Sequence, residues 1–167
     1  MNNDFDGSLL KAILEMVSAA EPDTMIADIN GKPVLLTEFS GDNATEDRNI
    51  SVTHLTEDCT AVEIMYTVRS GLEVRQCNDI LALLPYLNRY LSIGAFGLLE
   101  QNGYFYFHYA FAIRKETEVP LILETLAATL TITDATVQEA ILLTAPVLRG
   151  ELTADDRMRE ETSITQF

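Results

Sequence analysis

The segment Tyr104-Phe-Tyr-Phe-His-Tyr-Ala-Phe-Ala-Ile113 narrows the possible folds of this chain more than any other stretch. Successive side chains of a strand point to opposite faces. One face therefore carries Phe105, Phe107, Tyr109, Phe111 and Ile113, and this set demands a core. The other carries Tyr104, Tyr106, His108, Ala110 and Ala112. A strand with aromatic side chains on both faces is either covered on both or presents one to a partner, where tyrosine supplies contact area at low entropic cost. Strand partners are at hand. Residues 60–69 alternate Val62, Ile64, Tyr66 and Val68 against Glu63, Met65, Thr67 and Arg69, the pattern of an antiparallel sheet with one covered face. Residues 49–55 alternate in the same way. Asn30-Gly31, between two short apolar runs in 24–39, predicts a hairpin because both residues tolerate positive φ. Asn102-Gly103 predicts a second one, leading into the aromatic strand.

Elsewhere the apolar period changes from strand-like to helical. Leu9, Leu10, Ile13, Met16, Val17 and Ala20 form a stripe over 8–20, with Asp6 or Ser8 as cap and Pro22 past the end. Ile80, Leu83, Leu84, Leu87, Tyr90 and Leu91 form another over 78–92, with Asn78 or Asp79 as cap and Pro85 as a kink or break. Pro120 opens two further helices, 120–130 and 134–148, divided by a cap at Thr133. Residues 40–48 read as a polar loop. Residues 150–167 read as a weakly ordered or helical C-terminal tail after a single domain over 1–149. The predicted order is helix, strands, helix, two strands, helices. It describes an α+β domain, a single antiparallel sheet with helices on one face.

The chain has 167 residues, 47% of them hydrophobic, enough for one domain with its own core. Its formal net charge of −15 repels polyanions, so neither nucleic acid nor a membrane is an expected partner. The N-terminus carries acid where a signal peptide carries Lys or Arg. The best apolar run, 80–91, is short and interrupted by Pro85, Asn88 and Arg89, and no segment is expected to approach the length of a membrane span. A cytoplasmic location is the resulting expectation, with Cys59 and Cys77 as reduced thiols.

Nothing in the sequence announces catalysis. The two Cys and two His fall short of a structural zinc site by spacing, so no metal and no cofactor is expected. His54 and His108 stand alone in predicted strands. There is no GxSxG elbow, and Gly94-Ala-Phe-Gly97 lacks the spacing of a phosphate-binding loop. A catalytic or small-molecule site would have to be assembled from scattered side chains such as Tyr66, Tyr106 and His108. The chain is read as non-enzymatic.

Residues 80–125 carry a resemblance. Leu87-Asn88-Arg89 ends the second helix, Gly94-Ala-Phe-Gly-Leu98 begins a strand, an acidic residue leads into the Asn102-Gly103 turn, and a helix closes the unit. This stretch resembles the YbjN family, and the order of elements resembles the type III secretion chaperone fold. The resemblance implies a secretion-chaperone-like fold without catalytic residues. It implies a chaperone-like or regulatory protein-binding module whose partner is another protein or a peptide segment. The acidic surface would keep such a binder soluble and favour basic segments. Tyr104, Tyr106 and His108 form the candidate protein-binding surface. Leu84, Leu87 and Leu91 form the candidate interface of a homodimer. The alternatives are a structural subunit of an assembly and a small-molecule-binding protein, the latter marked by a deep pocket with convergent polar groups.

Overall fold

The computed structural model describes residues 3–37, 47–89 and 91–164. Most of the predicted loop 40–48, Tyr90 and the last three residues of the tail lie outside them. Six strands form one antiparallel sheet: β1 (Met25–Ile29), β2 (Lys32–Thr37), β3 (Asp47–Thr56), β4 (Cys59–Arg69), β5 (Ala95–Leu99) and β6 (Tyr104–Arg114). Their order across the sheet is β1-β2-β3-β4-β6-β5. Four helices accompany them: α1 (Asn3–Ser18), α2 (Val74–Arg89), α3 (Val119–Leu148) and α4 (Ala154–Ile164). The first four strands run as a meander. α2 then carries the chain past β4 to the far edge, and β6 returns between β5 and β4.

The turn chemistry read from the sequence is present. Asn30 and Gly31 both have positive φ, 56° and 77°, which suits a two-residue hairpin. The second hairpin is longer than predicted. A short 3-10 turn, Glu100–Asn102, precedes Gly103, which takes the left-handed conformation.

Alternation decides which side of the sheet receives the helices. Tyr66 pairs with Arg48 on one side and Phe107 on the other, and Phe107 pairs with Phe96, so this row faces one way. Phe105, Phe107, Val62, Ile64 and Tyr66 are buried on that face against Leu9 and Ile13 of α1, Ile80 and Leu83 of α2, and Leu126 and Val137 of α3. Phe96 meets Phe107 edge-on with ring centroids 5.1 Å apart. Phe111 and Tyr109 belong to the same face but are only partly buried, stacking at 5.9 Å where the helical cover thins.

The helices correct several boundaries. α1 begins at Asn3, so the expected caps Asp6 and Ser8 are internal to it. α2 begins at Val74, one turn earlier than expected, because Gln76 reaches back to accept the Glu73 amide at 2.9 Å. Asn78 and Asp79 therefore lie inside the helix, and Pro85 sits within it without ending it. α3 is one helix of 30 residues instead of two, and Thr133 caps nothing. Its hydroxyl donates to the carbonyls of Thr129 (3.0 Å) and Leu130 (3.1 Å) one turn back. Thr125, Thr129, Thr131, Thr136 and Thr144 make the same i−4 bond. A threonine that satisfies its hydroxyl on its own helix no longer competes as a cap. The merged helix is also long and apolar enough to cross a membrane, which revises the expectation that no segment comes near that length. Ten of its side chains are buried in the protein. In the tail, Thr153 and Asp156 cap α4 reciprocally, and Ala154 and Met158 pack onto the core.

Asn88 gives the Leu87-Asn88-Arg89 step a physical role. Its side-chain amide donates to the Phe96 carbonyl at 2.9 Å and accepts the Phe96 N–H at 2.7 Å, stitching the end of α2 to the start of β5. Asn88→Ala should cost about 2–3 kcal/mol, because two bonds to the backbone of a buried residue are lost together. Phe107→Ala should cost about 3–5 kcal/mol in urea unfolding. A loss below about 1 kcal/mol at Phe107 would mean that the sheet faces are reversed.

Candidate functional site

Among the described residues, the helices occupy one face of the sheet and leave the other open. Strand alternation places Tyr104, Tyr106, His108, Ala110 and Ala112 of β6 on the open face, with Met65 paired to His108 and Thr67 to Tyr106. His108, Ala110 and Ala112 are exposed, and the two tyrosines are half-buried. The tyrosines are held flat instead of projecting. Their rings stack at 5.8 Å and 25°. The Tyr104 hydroxyl lies 2.8 Å from that of Thr67. Tyr106 lies over Gly97, whose missing side chain makes the room: a Cβ there would stand 2.5 Å from the ring. The sequence feature that marks this clamp is the second glycine of Gly94-Ala-Phe-Gly97, across from Tyr106 in the register. Exposed apolar side chains continue the face at both edges, Met25 and Ile29 on β1 and Leu99 on β5. Glu63 and Asp47 also belong to this face, and Lys32 and Arg114 lie at one rim. The structure thus brings Tyr104, Tyr106 and His108 together as the sequence proposed. Tyr66 is on the opposite face, so the scattered set Tyr66, Tyr106 and His108 does not converge.

Leu84, Leu87 and Leu91 part company. Leu87 is buried in the core, while Leu84 and Leu91 pack against it from partly exposed positions. Leu87 and Leu91 line a groove of about 200 Å³ between the end of α2 and α3, together with Ile93, Ile132 and Glu139.

A polar cluster beneath the sheet carries no sequence signal of its own. Arg48 is 1% exposed, on the core face of β3. Its guanidinium donates to Glu21, just past α1, and to Asp134 of α3 at 3.1 Å. The Tyr66 hydroxyl donates to the same Asp134 carboxylate and lies 2.8 Å from the Thr133 hydroxyl. Burial would lower the Arg48 pKa, but Tyr66, Asp134 and Glu21 together hold it raised. Burial raises the Tyr66 pKa, and the neighbouring Asp134 carboxylate raises it further, well above the ordinary 10.0. The residues come from four separate segments, so no local spacing could have announced the cluster. Among the described residues, no group of three or more His, Cys, Asp and Glu side chains is arranged to hold a metal ion.

No family model matches the sequence, and no curated protein matches it. Among solved structures, the chain is similar to YbjN from E. coli at 10% identity, covering 80% of this chain and 89% of that one with a TM-score of 0.49. It is also similar to a chain of the HopA1–SchA chaperone–effector complex at 18% identity, covering 83% and 94% with a TM-score of 0.42. These are the two groups that the sequence resembles.

The sign of the Tyr66 shift sets a pH dependence. The unfolded chain releases this proton near pH 10, while the folded protein retains it to higher pH. The stabilisation is therefore complete below about pH 10 and is lost as pH rises beyond it. Tyr66→Phe should lower stability at neutral pH by about 1–2 kcal/mol and flatten the alkaline decline in urea midpoint. An equally steep decline in the variant would remove Tyr66 as its source.

Proposed function

We propose that this protein works by binding a segment of another protein across its open sheet face, as a chaperone-like or regulatory module, and not by catalysis. The observation that carries this reading is the open face itself: an antiparallel sheet whose uncovered side presents two clamped tyrosines, an exposed histidine and a run of small and apolar side chains. Tyrosines already held in place lose little freedom when a partner arrives. The partner is an extended segment with net positive charge. A protein of net charge −15 attracts such segments and repels acidic ones. The exposed positions run along β6 from His108 to Ala112 and out to Met25, Ile29 and Leu99 at the sheet edges, an extent that suits a polypeptide laid across the strands better than an enclosed small molecule.

The test is fluorescence anisotropy with labelled unstructured peptides of matched length, one group basic and one acidic. Basic peptides should bind, more weakly as salt is raised, and Tyr106→Ala should weaken binding about tenfold without a comparable fall in melting temperature. Equal binding of acidic peptides, or unchanged binding by Tyr106→Ala, would overturn the proposal.

A further inference from the structure

Among the described residues, α3 has a second face that lies outside the core. The residues opposite its buried side are exposed: Leu121, Glu124, Ala128, Thr131, Ile132, Ala135, Glu139 and Leu142. Two glutamates are the only charges among them, and none is basic. Leu121, Ile132 and Leu142 are 55%, 51% and 57% exposed. Small residues fill the middle, where they permit close approach of another helix. Thr131 bonds its hydroxyl to the Ala127 carbonyl and so offers a methyl group instead of a donor. An outer helix face of an ordinary soluble domain is laced with charges of both signs.

The spacing is also symmetric about the Thr131–Ile132 bond. A second helix laid antiparallel sets Leu121 across from Leu142, Glu124 from Glu139, Ala128 from Ala135, and Thr131 from Ile132. A face that is its own complement when turned end for end is what a twofold interface requires. We propose that this face is a self-association surface, on which two copies pack α3 against α3 in that antiparallel register. The strip runs about 33 Å along each helix. From Ile132 to Leu143 the strip is flanked by the groove that Leu87, Leu91 and Ile93 also line, and the first half of the partner's α3 lies beside it. With the groove included, the contact reaches on the order of the 1,000 Å² that a specific interface needs. A membrane surface fits the same helix less well. Interfacial helices flank their apolar face with Lys and Arg, whereas this one carries only acid.

The register has a built-in cost that makes it testable. It opposes Glu124 to Glu139 twice, so the dimer should tighten as salt is raised. Sedimentation equilibrium of the full chain at micromolar concentration should show association toward twice 18.6 kDa. Ile132→Asp, at an exposed position, should return it to a monomer. Glu124→Lys turns both repulsions into attractions, and should tighten the dimer about tenfold and reverse its salt dependence. Tyr106→Ala should leave association unchanged, which separates this surface from the sheet face. A wild-type monomer at every salt concentration, or a dimer indifferent to both α3 substitutions, would overturn the proposal. So would flotation with phosphatidylcholine vesicles that Ile132→Asp abolishes, because the helix would then be a membrane contact.

Discussion

A guanidinium with almost no exposure must find its counter-charges inside the protein, and the positions of those counter-charges fix how the layers meet. Arg48 projects from β3 into the space beneath the sheet. One carboxylate comes from the segment after α1 and one from the middle of α3, and Tyr66 of β4 shares the second. A buried charge left unpaired is far more costly than any single apolar contact. The cluster therefore ties α1 and α3 to the centre of the sheet more specifically than leucine packing could. Sliding α3 by one turn would keep most of its apolar contacts but would take Asp134 away from both Arg48 and Tyr66. Apolar burial supplies the bulk of the driving force, and the cluster selects one arrangement among those that burial would allow.

The sheet divides its labour by face. All three core helices, α1, α2 and α3, lie on the side of Tyr66 and Phe107, so Tyr104, Tyr106 and His108 are left on the other. The tyrosines have local support through stacking, the Thr67 hydroxyl and the space over Gly97. They are ordered without a covering layer. A side chain fixed before its partner arrives is suited to recognition, since the ordering cost has already been met in folding. α3 shows the same division: one side closes the core and the other stays smooth and nearly uncharged.

Much of the fold could be read from periodicity. The alternation in 60–69 and 104–113 assigned both sheet faces correctly, and the Asn-Gly pairs located both hairpins. The misplaced helix ends share one cause. Asp6, Ser8, Asn78, Asp79 and Thr133 look like caps in the sequence because short polar side chains compete for backbone groups near helix ends. Inside a helix the same side chains can bond one turn back or turn to solvent, and the local sequence does not say which. At the candidate site, the membership of the tyrosine face was legible from alternation. Its clamp over Gly97 was not, because that contact depends on which strand lies beside β6.

The sequence alone determined what each segment could become: which runs alternate, which wind, where the backbone can reverse, and that the whole would be acidic. Those properties depend on neighbours within a few residues, where chain geometry imposes the period. The tertiary structure decided which faces would be covered. α2 carries the chain to the far edge of the sheet, so β6 returns between β5 and β4 and its tyrosine face looks away from every core helix. Arg48 meets Asp134 across 86 residues of chain. Such pairings are set by the free energy of assembling the layers, in which burial and charge are shared among distant segments, and no local pattern in the sequence carries that information.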